Sequence, residues 1–350
     1  MNIKIYQDNG YVDIQGIIAT GFPFIFITGG RATGKTYTSL KYAVENEIKF
    51  IYMRRTQSQA DLINKTDFSP FKSYNRDNGV EIITEPVTKY NSAFYYGEMS
   101  EKSDKLKASG RPLGYTAALS TIANMRGFDA SDVELLIYDE FIKEKHERPL
   151  KNEALAFFNA YESINRNREI NGSKPLQTLC LSNAMSLDND IYRHLKIMDV
   201  VDKMGKKNHS YWTDEERGIL VIQLQQSPIS VIKSKTALYK LTQGSEFYDM
   251  AISNDFAFEE KGNIKPQPLI EYTPKVKVGE ICIYLHKANR RVYVTKHASG
   301  TFQRVFDSGE IERERFRKAY GFLWTDYMMG EIWFDSYESE LEFRIAFGKN

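Results

Sequence analysis

Residues 22–36 read FPFIFITGGRATGKT. The first half, Phe22 to Thr28, is a short apolar run rich in aromatic and β-branched residues, which is the composition of a strand buried on both faces. The second half, Gly29-Gly30-Arg31-Ala32-Thr33-Gly34-Lys35-Thr36, fits the phosphate-loop pattern of glycine, four residues, then Gly-Lys-Ser/Thr. The glycines let the backbone wrap an anion closely, so that successive N–H groups face it. Lys35 then reaches the β- and γ-phosphates, and the Thr36 hydroxyl ligates Mg²⁺. From average composition such an octet arises by chance in a chain of this length with a probability on the order of 1%. Its setting between a strand and a helix sharpens the reading, and MgATP is the predicted ligand.

Outward from the loop, Thr36 to Asn46 has helical composition and Lys49 to Arg54 reads as a second strand. This is a strand, helix, strand unit of the length a parallel sheet needs. Glu134 to Tyr138 and Leu176 to Leu181 are two more buried strands, with apolar residues at helical spacing from Asn152 to Ile164 between them. Such alternation predicts an α/β fold around a parallel sheet. Residues 56–78 read as polar and irregular. Val80 to Thr84 with Ala93 to Tyr96 reads as a hairpin, Met99 to Pro112 as an exposed loop, and Tyr115 to Thr121 as a strand. The pattern weakens near 200. The expected layout is an ATPase domain over 1–201, a linker module over 202–270 with helical character at 219–260, and a C-terminal α+β domain over 271–350. In that last domain Ile281 to Leu285 and Arg291 to Thr295 form a hairpin around Lys287 to Arg290, and Ser336 to Ala346 forms a helix.

The chain has 350 residues, of which 42% are hydrophobic, ample for a core. Its formal net charge is +1, so any nucleic-acid contact must use a local patch. No apolar run reaches the roughly 18 residues that cross a bilayer, and no basic-then-apolar leader opens the chain, so no membrane partner and a cytosolic setting are expected. The two cysteines, Cys180 and Cys282, sit in strand-like runs and read as free buried thiols. The five histidines lack metal-ligand spacing, so no zinc site is predicted.

The second chemical element is Leu135-Leu136-Ile137-Tyr138-Asp139-Glu140. Four bulky residues deliver two carboxylates to a strand's C-terminal edge, where ligands sit in open α/β sheets. Asp139 is the expected Mg²⁺ partner, directly or through water. Glu140 is placed to polarise an attacking water. A kinase uses a substrate hydroxyl and does not need that glutamate, whereas a hydrolase needs a water-positioning group. Ser182-Asn183 ends another strand beside the loop, where Asn183 either senses the γ-phosphate or positions the water, or else caps a helix or turn. Arg166 and Arg168 follow the Asn152 to Ile164 helix, and Arg126 precedes the acidic strand. Each is either a transition-state cation or a surface ion-pair partner. Lys102, Lys105 and Lys107, then Lys143 and Lys145, are candidate polyanion contacts. Lys275 to Val305 holds seven Lys or Arg against one acid, Glu280, which suggests a nucleic-acid or acidic-partner surface or else a solvated hairpin face.

These motifs resemble one family, the DNA-packaging (encapsidation) ATPases of small phi29-like tailed bacteriophages. The similarity lies in Phe26 to Thr36 (FITGGRATGKT), Phe50 to Arg55 (FIYMRR), Tyr138 to Lys145 (YDEFIKEK), Asn165 to Glu169 (NRNRE) and Leu179 to Ala184 (LCLSNA), in that order. The resemblance implies a P-loop NTPase of the additional-strand, catalytic-glutamate type. It implies a homo-oligomeric ring, a pentamer, docked from the host cytoplasm on the portal vertex of an empty prohead, driving double-stranded DNA inward. It implies that Arg166 is an arginine finger acting in trans, that Arg126 lies at the subunit interface, and that Arg31 matches an arginine in the family's loop. It further implies a linker module, a C-terminal domain resembling a vestigial RNase H-like nuclease, and a structural RNA as a possible partner. The opening hairpin of that domain offers no carboxylates on its strands, and Asp307, Asp326 and Asp335 are scattered, which speaks against two-metal nuclease chemistry. Two other readings are a monomeric P-loop kinase indifferent to DNA and a nucleotide-gated assembly scaffold without turnover.

Overall fold

The structure is a computed structural model that describes residues 3–100, 103–125, 130–143, 147–183, 189–224, 227–245, 248 and 263–349. The chain divides into two compact units, one of Met1–Leu195 with Lys203–Phe256 and one of Lys196–Asp202 with Ala257–Asn350. Among the described residues no helix is long and apolar enough to cross a membrane.

The first unit is built on nine strands: β1 (Phe24–Gly29), β2 (Phe50–Arg54), β3 (Ile82–Pro86), β4 (Ser92–Ser100), β5 (Ser103–Ala118), β6 (Leu135–Asp139), β7 (Gln177–Ser182), β8 (Tyr211–Asp214) and β9 (Ile219–Leu224). They form one sheet in the order β3-β4-β5-β2-β6-β7-β1-β9-β8. The middle of the sheet, from β5 to β9, is parallel, and β3, β4 and β8 pair antiparallel at the edges. The helices include α1 (Ile14–Ile18), α2 (Lys35–Glu45), α3 (Gln57–Ile63), α4 (Lys72–Asn78) and α5 (Glu153–Asn165). Central strands are buried on both faces, as their unbroken apolar runs require, and Ile25, Ile27, Tyr52, Ile137, Leu179 and Leu220 meet in one core. Cys180 on β7 is a buried free thiol.

Three sequence expectations change. Residues 56–78, expected to be irregular, carry α3 and α4. Thr56 and Gln59 close a capping box on α3, and Gly79 ends α4 in the left-handed region. Met99 to Pro112, expected as a loop, is part of a β4–β5 ribbon that pairs Gly97 with Ala108 and Glu98 with Lys107. It reads as a loop because a two-stranded ribbon outside the core buries little and keeps a polar sequence. The expected boundary at 202 also fails. Residues 211–224, assigned to the linker, form β8 and β9, and β9 lies directly against β1. The run Ile219–Leu224 (ILVIQL) is buried throughout, and a short apolar run of this kind does not by periodicity alone separate strand from helix.

The second unit holds β10 (Tyr272–Val278), β11 (Ile281–His286), β12 (Val292–Thr295), β13 (Arg304–Phe306) and β14 (Ile332–Phe334), ordered β13-β10-β11-β12-β14. β10, β11 and β12 are antiparallel, and the β11–β12 hairpin falls where the sequence puts it. Helices Glu310–Tyr320 and Tyr337–Ala346 pack Phe316 and Phe343 onto Ile283, Val294 and Phe334. The Ser336 hydroxyl caps the last helix, accepting from the Ser339 N–H. The basic excess around this hairpin is partly absorbed at home. Lys296 pairs with Glu280 (3.1 Å) and Glu338 (3.0 Å), and the Arg291 guanidinium lies 3.7 Å above the Trp333 ring. Among the described residues no group of three or more His, Cys, Asp or Glu could hold a metal ion.

Candidate active site

The registers of the parallel strands bring one set of strand ends to one edge. Thr28 on β1 lies opposite Ser182 on β7, Leu181 opposite Asp139 on β6, and Tyr138 opposite Met53 on β2. The phosphate loop, Ser182-Asn183, Asp139-Glu140 and Arg54 therefore leave the sheet side by side. Asn183 is half-buried there. β7 stands between β1 and β6, so it separates the loop's strand from that of the carboxylates.

The loop itself requires its glycines. Gly29 has φ 140°, and a Cβ there would lie 2.6 Å from the Leu224 Cβ. Gly34 has φ 78° and would bring a Cβ to 2.8 Å from the Tyr11 ring. Ala32 is also left-handed, at φ 66°, a conformation that costs an L-residue about 1–2 kcal/mol and that its surroundings must hold. Two segments brace it: the Val12 N–H donates to the Thr33 carbonyl (3.0 Å), and Lys233 Nζ donates to the Arg31 carbonyl (2.9 Å). The Arg31 side chain is exposed at the loop's apex.

Lys35, the first residue of α2, is buried and folds back over the loop. Its Nζ donates to Gly29 O (2.8 Å), Gly30 O (2.9 Å) and Thr33 Oγ1 (3.3 Å). Burial pushes the Lys35 ammonium down to about 7, against the upward pull of the Asp139 carboxylate. The Thr36 hydroxyl donates to Asp139 Oδ2 at 2.9 Å. A hydroxyl and a carboxylate this close, beside a caged lysine, fit the oxygen-ligand demands of Mg²⁺ carried by a triphosphate. Thr36 and Asp139 would hold the ion, which would neutralise phosphate charge.

A continuing strand would turn Asp139 and Glu140 to opposite faces. Glu140 instead adopts φ 55°, which breaks the alternation and brings both carboxylates to one cation. Arg54 donates to Glu140 Oε2 through Nη2 (2.6 Å) and to Asp139 Oδ2 through Nη1 (3.3 Å). The Tyr52 hydroxyl donates to Asp139 Oδ2 at 2.6 Å. Burial, with the Asp139 carboxylate beside it, raises the Tyr52 hydroxyl well above its ordinary value, so it stays a donor.

Arg166 is not brought to its own chain's loop. It follows α5, whose last residue Asn165 accepts from the Leu176 N–H at the start of β7, at the opposite edge of the sheet. Arg166 is exposed there with φ 49°, whereas Arg168 Nη2 latches onto the Ala130, Ser131 and Val133 carbonyls ahead of β6. The two arginines that sequence leaves equivalent thus differ: Arg166 is exposed and Arg168 is half-buried. Lys143 is half-buried, just past the acidic pair. Lys107 is exposed on β5, and the Lys105 side chain, Lys102, Arg126 and Lys145 lie outside the described residues.

Sequence reasoning missed Tyr52, Arg54, Arg55 and Lys233. The first three have a signal: FIYMRR ends an apolar strand in two arginines, and period-two alternation puts Tyr52 and Arg54 on one face and Arg55 on the other. Arg55 is fully buried. It bonds Glu153 through Nε (2.8 Å) and Nη2 (3.0 Å) and Glu147 through Nη1 (2.9 Å), while the Tyr138 hydroxyl donates to Glu153 (2.9 Å).

Residues 9–270 match the family model described as podovirus DNA encapsidation protein (Gp16). The DNA packaging proteins of Bacillus phages PZA and phi29 are each 26% identical over 237 residues, covering 66% of this chain and 61% of the relative. The chain therefore aligns with less than two thirds of the length of those relatives. Among solved structures, a chain of the bacteriophage Phi-29 viral genome packaging motor assembly has a TM-score of 0.68 at 18% identity, with 99% of both chains covered. The Phi-28 gp11 DNA packaging motor has a TM-score of 0.64 at 19% identity, covering 98% of this chain and 99% of that one. At these identities the likeness shows the fold. The family model spans more than half of the sequence, and the chain belongs to the podovirus DNA encapsidation protein (Gp16) family.

Proposed function

We propose that this protein is an ATP-hydrolysing motor that drives double-stranded viral genomic DNA into a preformed capsid through the portal vertex. The observation that carries it is the contact of Thr36 Oγ1 with Asp139 Oδ2 at 2.9 Å, with Glu140 beside it, in a chain of the encapsidation family. MgATP is the substrate: the loop and Lys35 bind its phosphates, Thr36 and Asp139 its Mg²⁺, and Glu140 orients the attacking water. The strand between β1 and β6 supports the additional-strand, catalytic-glutamate class. Asn183 senses the γ-phosphate or positions the water. Arg166 serves a neighbouring subunit in a homo-oligomeric ring, a pentamer, with Arg126 at the interface. Its exposure at the edge away from its own loop supports action in trans. Lys102, Lys105, Lys143 and Lys145 are the DNA-facing candidates. The C-terminal unit, read as a vestigial RNase H-like domain, contacts portal, DNA or a structural RNA, and the linker module expected over 202–270 is reduced to the part of that stretch outside the first unit's sheet and the segment that braces the loop. The motor works in the host cytoplasm, docked on the prohead.

An ATPase assay with and without double-stranded DNA tests this. Turnover should be DNA-stimulated and rise per subunit with concentration. Glu140→Gln should keep nucleotide binding and lose about 10²–10⁴-fold in turnover. Arg166→Ala should be inactive alone and partly rescued by mixing with Glu140→Gln subunits, which still supply a finger. Phosphoryl transfer to a small acceptor without a DNA effect would replace the motor by a kinase, and tight binding without turnover by a scaffold.

A further inference from the structure

Lys233 closes helix Pro228–Lys233, in the segment that follows β9. That segment is fixed beside the phosphate loop. Leu224 at the end of β9 is the register partner of Gly29. Ser227 Oγ donates to the Gly10 carbonyl (3.1 Å), and a Cβ on Gly10 would lie 3.1 Å from the Ile229 nitrogen. From this support Lys233 reaches the loop's apex, where its Nζ donates to the Arg31 carbonyl at 2.9 Å. The same ammonium lies 4.7 Å from the centroid of the Tyr239 ring, which holds it in place by cation–π attraction.

The Arg31 carbonyl belongs to the peptide that ends in the Ala32 N–H. A trans peptide points its C=O and N–H in opposite directions. An ammonium on the Arg31 carbonyl therefore fixes the Ala32 N–H pointing away from Lys233, and polarises it into a stronger donor for an anion. It also steadies Ala32, the left-handed non-glycine of the loop.

We propose that Lys233 is a positioning residue for nucleotide phosphate, supplied by the segment after β9 and acting through the Arg31–Ala32 peptide. This rests on the nucleotide-site reading of the loop. The chemistry recognised is polyphosphate: the effect grows with phosphate charge and is blind to the base. It also makes the segment after β9 part of the nucleotide site.

The test is equilibrium binding of fluorescent ATP and ADP analogues with Mg²⁺ to the full chain, comparing wild type, Lys233→Met, Lys233→Arg and Lys35→Ala. Lys233→Met keeps the stem's length without the charge. It should raise Kd for the ATP analogue about tenfold, the scale of one charge-assisted hydrogen bond, and for the ADP analogue less. Lys233→Arg should restore most of the loss, which a packing defect would not allow, and the melting temperature of the nucleotide-free protein should fall by no more than about 2–4 °C in Lys233→Met. A Kd within twofold of wild type in Lys233→Met, alongside lost binding in Lys35→Ala, overturns the role of Lys233 alone. Equal losses for ATP and ADP with no rescue by arginine also overturn it. Unchanged binding in Lys35→Ala overturns the nucleotide site itself, and this inference with it.

Discussion

Two clusters of the same make-up sit at the end of β2, one for each of two adjacent arginines. Arg54 meets Asp139 and Glu140, with the Tyr52 hydroxyl on Asp139. Arg55 meets Glu153 and Glu147, with the Tyr138 hydroxyl on Glu153. They differ in closure. The Arg55 side chain is 0% exposed, and its Nε, Nη1 and Nη2 all donate to carboxylates. Arg54 Nε is buried with no partner among the described residues, and the Glu140 side chain is 35% exposed. A buried donor left unsatisfied is uncommon in a finished core, so Arg54 keeps bonding capacity that Arg55 has used. The closed cluster belongs to the fold, tying β2 to the start of α5. The open one is built of the same parts and keeps its carboxylates within reach of a ligand.

The sharpest way to break this distinction is to remove each arginine in turn. Arg55→Ala strands Glu153 in the interior and should cost about 3–5 kcal/mol of stability, read from denaturant unfolding. Arg54→Ala should cost less, about 1–3 kcal/mol, because Glu140 can turn to water and Asp139 keeps Thr36 and Tyr52. Its effect should appear in turnover, which should fall roughly 10- to 100-fold as both carboxylates lose their common anchor. If the two variants lose equal stability, or if Arg54→Ala turns over ATP like wild type, the two clusters do not have separate roles.

The same contrast governs what the sequence could say. The loop, the acidic strand end and the order of buried strands were legible because each is a contiguous motif whose spacing is fixed by local geometry. Gly29, Gly34, Lys35 and Thr36 lie within one turn of chain, and Asp139 and Glu140 end an apolar run. The Arg55 cluster joins residues 55, 138, 147 and 153, and no spacing rule links a strand-end arginine to glutamates about a hundred residues away. Lys233 is further still, reaching the loop through a strand, β9, that the sequence reading had placed in a different domain. The polar β4–β5 ribbon was missed for the opposite reason: strand signals come from burial, and a ribbon outside the core has little to bury.

The smallest predicted effect sharpens the comparison on the open side, where the charges are not closed upon themselves. Burial pushes Lys35 down to about 7; Asp139 opposes this, Lys233 adds to it, Glu140 opposes it and Arg31 adds to it. Phosphate oxygens arriving at Nζ favour the ammonium and should return it toward the ordinary lysine value of about 10.4. The complex then holds more protons than the free protein above pH 7, so binding takes up a proton and affinity falls as pH rises through 7. Below about pH 6 both states are protonated and the uptake vanishes. Titration calorimetry at pH 8, in buffers of different ionisation enthalpy, should register about 0.9 proton taken up per MgATP. Lys35→Arg, whose guanidinium stays charged throughout, should register none. Zero uptake by the wild type at pH 8 would mean that Gly29, Gly30 and Thr33 already hold the proton without nucleotide, and that the lysine of the open site is as self-sufficient as Arg55 in the closed one.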